Sequence, residues 1–237
     1  MTDPLFAVID ATWPAAALHR AGGFLLREGR GGGSRVSSAS LEAPLEEADI
    51  SAAVARHRAL GQEPKFMLRP GEEALDARLE ALGFEAFDAV FIHAAPLDRL
   101  PSEVPPVTAF AHWPPLAITR DVWAEGGIGA TRQAVAERAQ APKAAILGRM
   151  NDRAAGAAFV ALHEGTAMLH ALSVAPEFRR KGLARAMMAE AVRWARAEGA
   201  ERLALVVKQA NEGANALYRS LGMEPVCAYH YRRAVQP

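Results

Sequence analysis

Residues 172–184, LSVAPEFRRKGLA, combine residue types and spacing that suit the binding of a phosphate group. An apolar strand ends at Val174, Pro176 marks a turn, and three successive cations, Arg179–Lys181, lead directly into Gly182, where a helix begins. The first N–H groups of a helix have no intrahelical acceptor and lie at the positive end of its dipole, and glycine lets a phosphate approach the main chain closely. The pattern therefore predicts an anion-binding turn, with a close-packed basic helix start as the alternative.

A second group of residues follows this turn after one predicted helix and one predicted strand. The helix carries apolar residues at helical spacing and ends at Gly199, and residues 202–208, RLALVVK, suit a buried strand. Residues 209–223, QANEGANALYRSLGM, then predict a short helix that Asn211 caps and that ends before Gly222. The two groups therefore lie in a fixed order, separated by one helix and one strand.

This order resembles the GCN5-related N-acetyltransferase (GNAT) family, whose phosphate loop reads Gln or Arg, two residues, Gly, one residue, then Gly or Ala. Here Arg179, Gly182 and Ala184 fill the three fixed positions. The second family signature matches at Asn211, Ala214, Leu217, Tyr218, Leu221 and Gly222, and Met223 stands where the family usually has Phe. The resemblance covers roughly residues 107–237 and implies a GNAT-like acyl-coenzyme A N-acyltransferase fold, an α/β (α+β) structure with a mixed sheet.

The resemblance also implies direct transfer of an acetyl group from acetyl-coenzyme A to an amine, without an acyl-enzyme. The implied cofactor-binding residues lie on the strand end, the turn and the helix starts: Leu172, Ser173, Val174, Arg179, Arg180, Lys181, Gly182, Leu183, Ala184 and Asn211. Amides of the turn would hold the pyrophosphate, and the strand edge would pair with the pantetheine arm. Tyr218 is the implied general acid beside the sulfur, or else it has only a positional role.

The general base is not identified by the sequence. Many relatives carry a glutamate on the strand before the phosphate loop, but this strand, TAMLHALSV, has no carboxylate and has Met168 near the expected position. His170 lies two residues further on the same face of the strand, and histidine's ordinary pKa suits a base. His170 is therefore a catalytic candidate, with a core histidine as the equal alternative. If His170 is not the base, ordered water would remove the proton from the amine, or the amine would bind already neutral.

The first hundred residues repeat the predicted order of elements. The segment ALDARLEALGFE, residues 74–85, ends in the same way as ANALYRSLGMEP, residues 214–225. The predicted elements are strands at 23–28, 34–41, 65–69 and 87–95, and helices at 46–60 and 72–84. We infer a degenerate internal duplication, that is, a tandem arrangement of two GNAT-like halves.

The phosphate position distinguishes the two halves. The first half joins strand and helix through EAPLEEADI, residues 42–50, which carries four acids and neither glycine nor cation. Acids suit a helix start but repel a pyrophosphate, and Leu79 falls where Tyr218 would lie in register. The sequence therefore predicts an active C-terminal half that binds acetyl-coenzyme A and a degenerate N-terminal half with a structural role.

A proline-rich segment sets the predicted domain boundaries. Residues 96–106, PLDRLPSEVPP, contain four prolines and read as a linker between a degenerate domain, 1–95, and an acetyltransferase domain, 107–237. GNAT folds normally close with two strands, but only one, roughly 225–235, fits after Leu221. Either the last strand is missing, or the first half supplies a strand in its place.

The acceptor is implied to be an amine of a small molecule or peptide. In the family it binds beside two early helices, which are predicted here on either side of Gly126 and Gly127. Trp113, Arg120 and Trp123 lie in this region, each with an ordinary structural role as the alternative. A non-catalytic acyl-coenzyme A sensor and an acyltransferase that uses a longer acyl chain are the rival functions.

Composition excludes several classes of function. Lys plus Arg and Asp plus Glu both number 27, so no global field attracts nucleic acid or an anionic membrane. The one cysteine, Cys227, excludes an internal disulfide and is expected to be a small buried hydrophobe. No apolar run is long enough to cross a bilayer, no signal peptide is visible, and histidine and cysteine do not occur at metal-ligand spacing. The chain is expected to be a cytoplasmic enzyme without a metal.

Overall fold

A computed structural model describes residues 3–140 and 142–234 of the chain. Within these ranges the α-helices are α1 (Leu5–Thr12), α2 (Ile50–Ala59), α3 (Glu73–Ala81), α4 (Ala117–Glu125), α5 (Ala130–Arg138), α6 (Leu183–Ala197) and α7 (Glu212–Ser220). The strands are β1 (Ala17–Ala21), β2 (Phe24–Glu28), β3 (Ala39–Leu41), β4 (Lys65–Leu68), β5 (Phe84–Pro96), β6 (Ala109–His112), β7 (Lys143–Met150), β8 (Arg153–His163), β9 (Thr166–Val174), β10 (Arg202–Lys208) and β11 (Glu224–Ala234). Strands pair both in parallel and antiparallel, which confirms the predicted mixed α/β class.

The elements around the predicted phosphate turn have the expected bounds. β9 and β10 coincide with the segments TAMLHALSV and RLALVVK, and α6 begins directly after Gly182. α4 and α5 flank Gly126 and Gly127, as predicted. The local sequence determines these segments, because each apolar run is continuous and the glycines that bound the helices lie next to it.

The strand predicted at 34–41 is mostly a turn. Only β3 is extended, and the rest forms a short 3-10 helix and a bend. The Ser37 hydroxyl donates a hydrogen bond to the carbonyl oxygen of Gly33 at 2.9 Å, and this local bond competes with the extended ladder. β5, in contrast, is longer than the strand predicted at 87–95.

The helix predicted at 46–60 starts later, at the first residue of α2. The Asp49 carboxylate accepts a hydrogen bond from Ala52 N at 3.0 Å, and this cap fixes the N-terminus. The helix predicted at 72–84 ends early, because Gly83 adopts the left-handed region at φ +82° and stops α3.

The chain folds into two compact units. The first unit contains the described residues of Met1–Pro14, Ile92–Val207 and Asn211–Val226, and the second contains those of Ala15–Phe91, Lys208–Ala210 and Cys227–Pro237. These boundaries differ from the expected ones at 95 and 107, because α1 belongs to the first unit and the end of β11 to the second. The outermost residues of the two predicted domains, 1–2 and 235–237, lie outside the described residues.

In the first unit, β6, β7, β8 and β9 are antiparallel neighbours, and β10 joins β9 in parallel. α6 packs on this sheet through a stripe of fully buried side chains: Leu183, Met187, Ala191 and Ala195. Gly148 and Gly156 permit the close approach, because a Cβ on either glycine would lie 2.6 Å from Met187 Sδ. α1 and α4 also contact β8 and β9.

The second unit has its own set of paired strands and its own core. β1, β2 and β3 are antiparallel neighbours, β3 is parallel to β4, and β4 is antiparallel to the end of β11. The core gathers apolar side chains from the strands and from α2 and α3: Phe24, Leu26, Ile50, Phe66, Leu75 and Leu79. Cys227 is half-buried, not buried as expected, because the first residues of β11 are exposed.

A strand from the first half of the sequence joins the first unit. Residues 92–96 of β5 belong to that unit, where β5 is the neighbour of β10, and Leu97 N donates to the carbonyl oxygen of Glu201 at 2.9 Å. Among the described residues, β11 is the single strand after α7, and the last residue of the strand predicted at 225–235 lies outside them. The second of the two predicted alternatives, a strand supplied by the first half, is therefore confirmed.

Candidate functional site

β9 and β10 diverge as they approach the predicted phosphate turn. Their parallel pairing covers residues 166–169 of β9 and 202–205 of β10, whereas β9 continues to Val174. Within the described pairing, residues 170–174 therefore have no partner on β10. Backbone N–H and C=O groups at such an open edge can pair with an extended ligand.

A bulge in β9 lies at the point of divergence. The register with β8 shifts between Ala157 and Phe159, where β9 contains one additional residue. Ala171 adopts the left-handed region at φ +52°, and its carbonyl oxygen accepts a hydrogen bond from Trp123 Nε1 at 2.9 Å. Trp123, which the sequence placed in the acceptor region, is therefore a buried support of the bulge.

Two left-handed residues shape the turn after β9. Arg180 has φ +60° and Gly182 has φ +88°, and α6 begins at the next residue without a side-chain cap. A Cβ on Gly182 would meet no atom within 4 Å, so this glycine serves the backbone conformation and keeps the space before α6 open. Arg179 Nε donates to the carbonyl oxygen of Val174 at 2.9 Å and ties the turn to β9. The uncapped amides of α6 are left available for an anion.

The strand end, the turn and the two helices α6 and α7 surround a cavity of about 750 Å³. The residues that line it are Leu172, Ser173, Val174, Phe178, Arg179, Arg180, Gly182, Leu183, Ala184, Arg185, Asn211, Gly213, Ala214, Ala216, Leu217, Tyr218 and Ser220. Every predicted cofactor-binding residue except Lys181 is in this lining, and so is Tyr218. The structure thus brings both sequence motifs to one cleft.

The cleft carries positive charge. Its described lining includes Arg179, Arg180 and Arg185 and contains no Asp, Glu or His. Lys181 does not line the cavity, and its ammonium nitrogen lies 5.9 Å from the centre of the Phe178 ring. The cations and the uncapped start of α6 together favour a phosphate-bearing ligand.

Part of the lining was not assigned from the sequence. Arg185 and Ser220 are the most polar of these residues, and Arg185 Nη2 donates to Ser220 Oγ at 2.8 Å, which links α6 to α7. The others are Phe178, Gly213, Ala214, Ala216 and Leu217. Helical spacing from Asn211 and Tyr218 would have indicated Ala214 alone among the α7 residues, because side chains three and four apart share a face.

α7 presents the two polar residues of the second motif. Asn211 Oδ1 accepts a hydrogen bond from Ala214 N at 3.1 Å and caps the helix as predicted. Tyr218 is 6% exposed, and its burial raises the pKa of the phenol to about 12. The hydroxyl therefore keeps its proton at neutral pH and can donate it at the cleft.

His170 is placed away from the cleft. Its ring is 4% exposed and stacks on Trp13 with centroids 5.0 Å apart. Thr12 Oγ1 donates to the carbonyl oxygen of Val8 at 2.6 Å, so it accepts from His170 Nε2 at 2.9 Å. The residue is absent from the described lining of the cleft, and its partners are those of a core histidine.

The other acceptor candidates have structural partners. Arg120 forms an ion pair with Glu137 at 2.8 Å, and Trp113, 38% exposed, lies under the ammonium of Lys143 at 4.3 Å. Gly126 is in closer contact with the site, because a Cβ there would lie 2.2 Å from Ser173 Oγ. The end of α4 is thus the part of this region that abuts the cleft.

Two kinds of feature are absent from residues 3–140 and 142–234. No three or more His, Cys, Asp or Glu side chains are grouped so that they could hold a metal ion. No helix in those ranges combines the length and the apolar character needed to cross a membrane.

Comparison with known proteins identifies relatives for this arrangement. Residues 109–223 match the family model described as acetyltransferase (GNAT) family. Across 234 aligned residues the chain is 27% identical to the uncharacterized N-acetyltransferase YobR of Bacillus subtilis (strain 168), with 94% of both chains covered. The sequence relationship therefore extends over both halves of the chain.

Solved structures share the fold. A GCN5-related N-acetyltransferase from Kribbella flavida aligns with a TM-score of 0.70 at 18% identity and covers 98% of this chain and 94% of its own. A tandem GNAT protein from the clavulanic acid biosynthesis pathway aligns with a TM-score of 0.59 at 15% identity, over 98% of this chain and 87% of its own. The chain therefore has a GNAT fold that matches a tandem member along nearly its full length.

Proposed function

Residues 109–223 belong to the acetyltransferase (GNAT) family, and on this premise we propose an acetyl-coenzyme A-dependent N-acetyltransferase that acts on an amine of a small molecule or peptide. The observation that supports this proposal is that the open edge of β9, the turn before α6 and Tyr218 all line one cavity. Release of the coenzyme A thiol in the presence of amines tests the proposal.

The chain's own residues fit such a cosubstrate. The amides of residues 180–184 and the guanidinium groups of Arg179 and Arg180 would hold the pyrophosphate, because α6 has no side-chain cap and Gly182 leaves the approach open. The free edge of residues 172–174 would pair with the pantetheine arm. Bound there, acetyl-coenzyme A supplies an activated thioester.

Tyr218 is proposed as the general acid. A departing thiolate needs a proton, and a phenol with a pKa of about 12 is protonated throughout the neutral range.

The pH dependence follows from the residues of the cleft. Because the described lining has no Asp, Glu or His, the acceptor amine is proposed to bind in its neutral form. We expect kcat/KM to rise about tenfold per pH unit and to level off at the acceptor's own amine pKa. Loss of the Tyr218 proton should not lower kcat/KM below about pH 10, since the pKa of the phenol is raised. Profiles for two acceptors of different pKa test this.

His170→Gln is the matched variant for that profile, since glutamine can still donate to Thr12 Oγ1. We expect both profiles to keep their shape and their midpoints. If the rising limb disappears in the variant, or if its midpoint does not change with the pKa of the acceptor amine, a residue of the protein would instead be the base.

We propose that the second unit binds no acetyl-coenzyme A. Its elements β3, α2, β4 and α3 repeat the order of β9, α6, β10 and α7, and each series contains one parallel strand pair. The Asp49 carboxylate caps α2, where α6 has no cap. Arg69 Nη2 donates to the carbonyl oxygen of Leu41 at the end of β3, and Glu72 holds the same guanidinium at 2.6 Å. In the second unit, groups of the protein itself therefore bind the end of β3 and the start of α2.

Titration calorimetry of the full chain measures the number of sites. We expect one acetyl-coenzyme A per chain in the wild type, because α6 begins without a side-chain cap, whereas a side chain caps its counterpart α2. In Asp49→Ala the stoichiometry stays at one, since Arg69 still occupies the end of β3. A stoichiometry of two in either protein would show that the second unit retains a site.

A non-catalytic acyl-coenzyme A sensor is the second candidate. The observation in its favour is that the described lining of the cleft contains neither a carboxylate nor a histidine. A sensor and an enzyme would bind acetyl-coenzyme A alike, but a sensor would release no thiol on addition of amines.

A further inference from the structure

A buried histidine and a buried asparagine lie behind the cleft. His93 belongs to the part of β5 in the first unit, and Asn215 lies on α7, yet neither is in the lining of the cavity. His93 is 0% exposed and Asn215 4% exposed, and His93 Nε2 lies 3.0 Å from Asn215 Oδ1. The pair connects positions 122 residues apart in the sequence.

The hydrogen bonds around Asn215 define the direction of this contact. Asn215 Nδ2 donates to the carbonyl oxygen of Asn211 at 2.9 Å, so Oδ1 is the acceptor that faces His93. His93 therefore donates from Nε2. Asn211 in turn caps the helix by accepting from Ala214 N. His93 thus anchors the first turn of α7, the turn that carries Asn211, Gly213 and Ala214 into the cleft.

The same histidine supports Tyr218. The two ring centroids are 5.8 Å apart at an interplanar angle of 55°. Tyr218 follows Asn215 by three residues, so both side chains lie on one face of α7 and meet the same ring of β5. An aromatic neighbour at this distance restricts rotation of the phenol.

We propose that His93 is a positioning residue that fixes the start of α7 and the Tyr218 ring at the cleft, an inference that rests on the proposed function of Tyr218. His93 lies within the half of the sequence read as degenerate, 1–95. The first half therefore contributes to the site through one histidine that neither motif contains.

Three variants separate this role from simple packing. His93→Phe keeps an aromatic ring beside Tyr218 but removes the donor, whereas His93→Gln keeps a donor that can reach Asn215. His57→Phe is the matched control, because His57 is also 0% exposed and donates from Nε2 to the carbonyl oxygen of Lys65 at 3.1 Å. His57 lies in the second unit and does not line the cleft.

We expect His93→Phe to lower kcat about tenfold and to raise the Kd for acetyl-coenzyme A by a smaller factor, about threefold, since the first turn of α7 loses its anchor while the turn before α6 is unchanged. His93→Gln and His57→Phe are expected to keep kcat within about twofold of wild type. Equal losses in His93→Phe and His57→Phe, or no recovery in His93→Gln, would overturn the proposal. If His93→Phe does not fold, Asn215→Ala removes the same bond from α7 and must show the same loss.

Hydrogen exchange separates failure of this inference from failure of the proposed function. In the ligand-free chain, amides of residues 215–218 should exchange about tenfold faster in His93→Phe than in wild type or His57→Phe. This readout needs no transferase activity. Unchanged exchange overturns the anchoring role, whereas faster exchange in a chain whose wild type releases no thiol overturns only the proposed function.

Discussion

Gly182→Glu is expected to weaken acetyl-coenzyme A binding by at least about a thousandfold. A non-glycine residue in the left-handed conformation costs about 1–2 kcal/mol, and φ at this position is +88°. A glutamate there would also project into the open space before α6 and place a negative charge where the pyrophosphate binds. Calorimetry with acetyl-coenzyme A measures the loss, and Gly182→Ala should lose only about tenfold, from strain alone.

Gly199→Glu is the control for this change. Gly199 has φ +78°, and a Cβ there would also meet no atom within 4 Å, but this glycine lies just beyond the opposite end of α6. The same strain and the same charge are therefore introduced far from the cleft. Gly199→Glu should bind acetyl-coenzyme A within about twofold of wild type. Equal loss in both variants would mean that destabilisation of the fold, not the phosphate site, explains the result.

Tyr218→Phe is expected to lower kcat about a hundredfold, the lower end of the usual effect of a general acid. The Kd for acetyl-coenzyme A should change by less than about twofold, because the aromatic ring and its packing remain. Steady-state kinetics and calorimetry on the same preparation give both values. Burial raises the pKa of the phenol to about 12, so the hydroxyl carries its proton at neutral pH.

Tyr231→Phe removes a comparable buried hydroxyl from the second unit, where Tyr231 is 3% exposed and burial raises its pKa. It should leave kcat unchanged, since Tyr231 does not line the cleft. A Tyr218→Phe variant that turns over as fast as Tyr231→Phe would reduce Tyr218 to a positional role.

The parts of the fold that local sequence determines could be predicted. The turn before α6 depends on Gly182 and its neighbouring cations, and the Asn211 cap depends on residues three positions apart. β9 and β10 are contiguous apolar runs with the bounds expected for them. Since both motifs lie on these elements, the sequence also indicated which residues face the cleft.

Features that depend on tertiary packing could not be predicted. The partner of His170 is Thr12, 158 residues earlier, and nothing near His170 in the sequence indicates that α1 packs there. The contact between His93 and Asn215 is likewise distant in sequence. Both histidines occur in apolar strands, where the sequence alone does not separate a core histidine from a catalytic one.

The two halves of the chain differ at the positions that matter for an anion. Both contain a strand, a turn, a helix and a parallel strand in the same order, but Asp49 caps α2 whereas no side chain caps α6. A carboxylate at a helix start satisfies the amides that a phosphate would need. In this proposal Asp49 at the start of α2 and Arg69 at the end of β3 together account for the difference in function.

The most direct measurement is an amine-panel assay that follows the coenzyme A thiol and the acetylated product together. The panel should include amino acids, polyamines, aminoglycosides and short peptides. The proposed function predicts that at least one amine yields thiol and N-acetyl product in equal amounts, and that Gly182→Glu abolishes both. A wild-type chain that binds one acetyl-coenzyme A but releases no thiol above the buffer rate with any amine would contradict it.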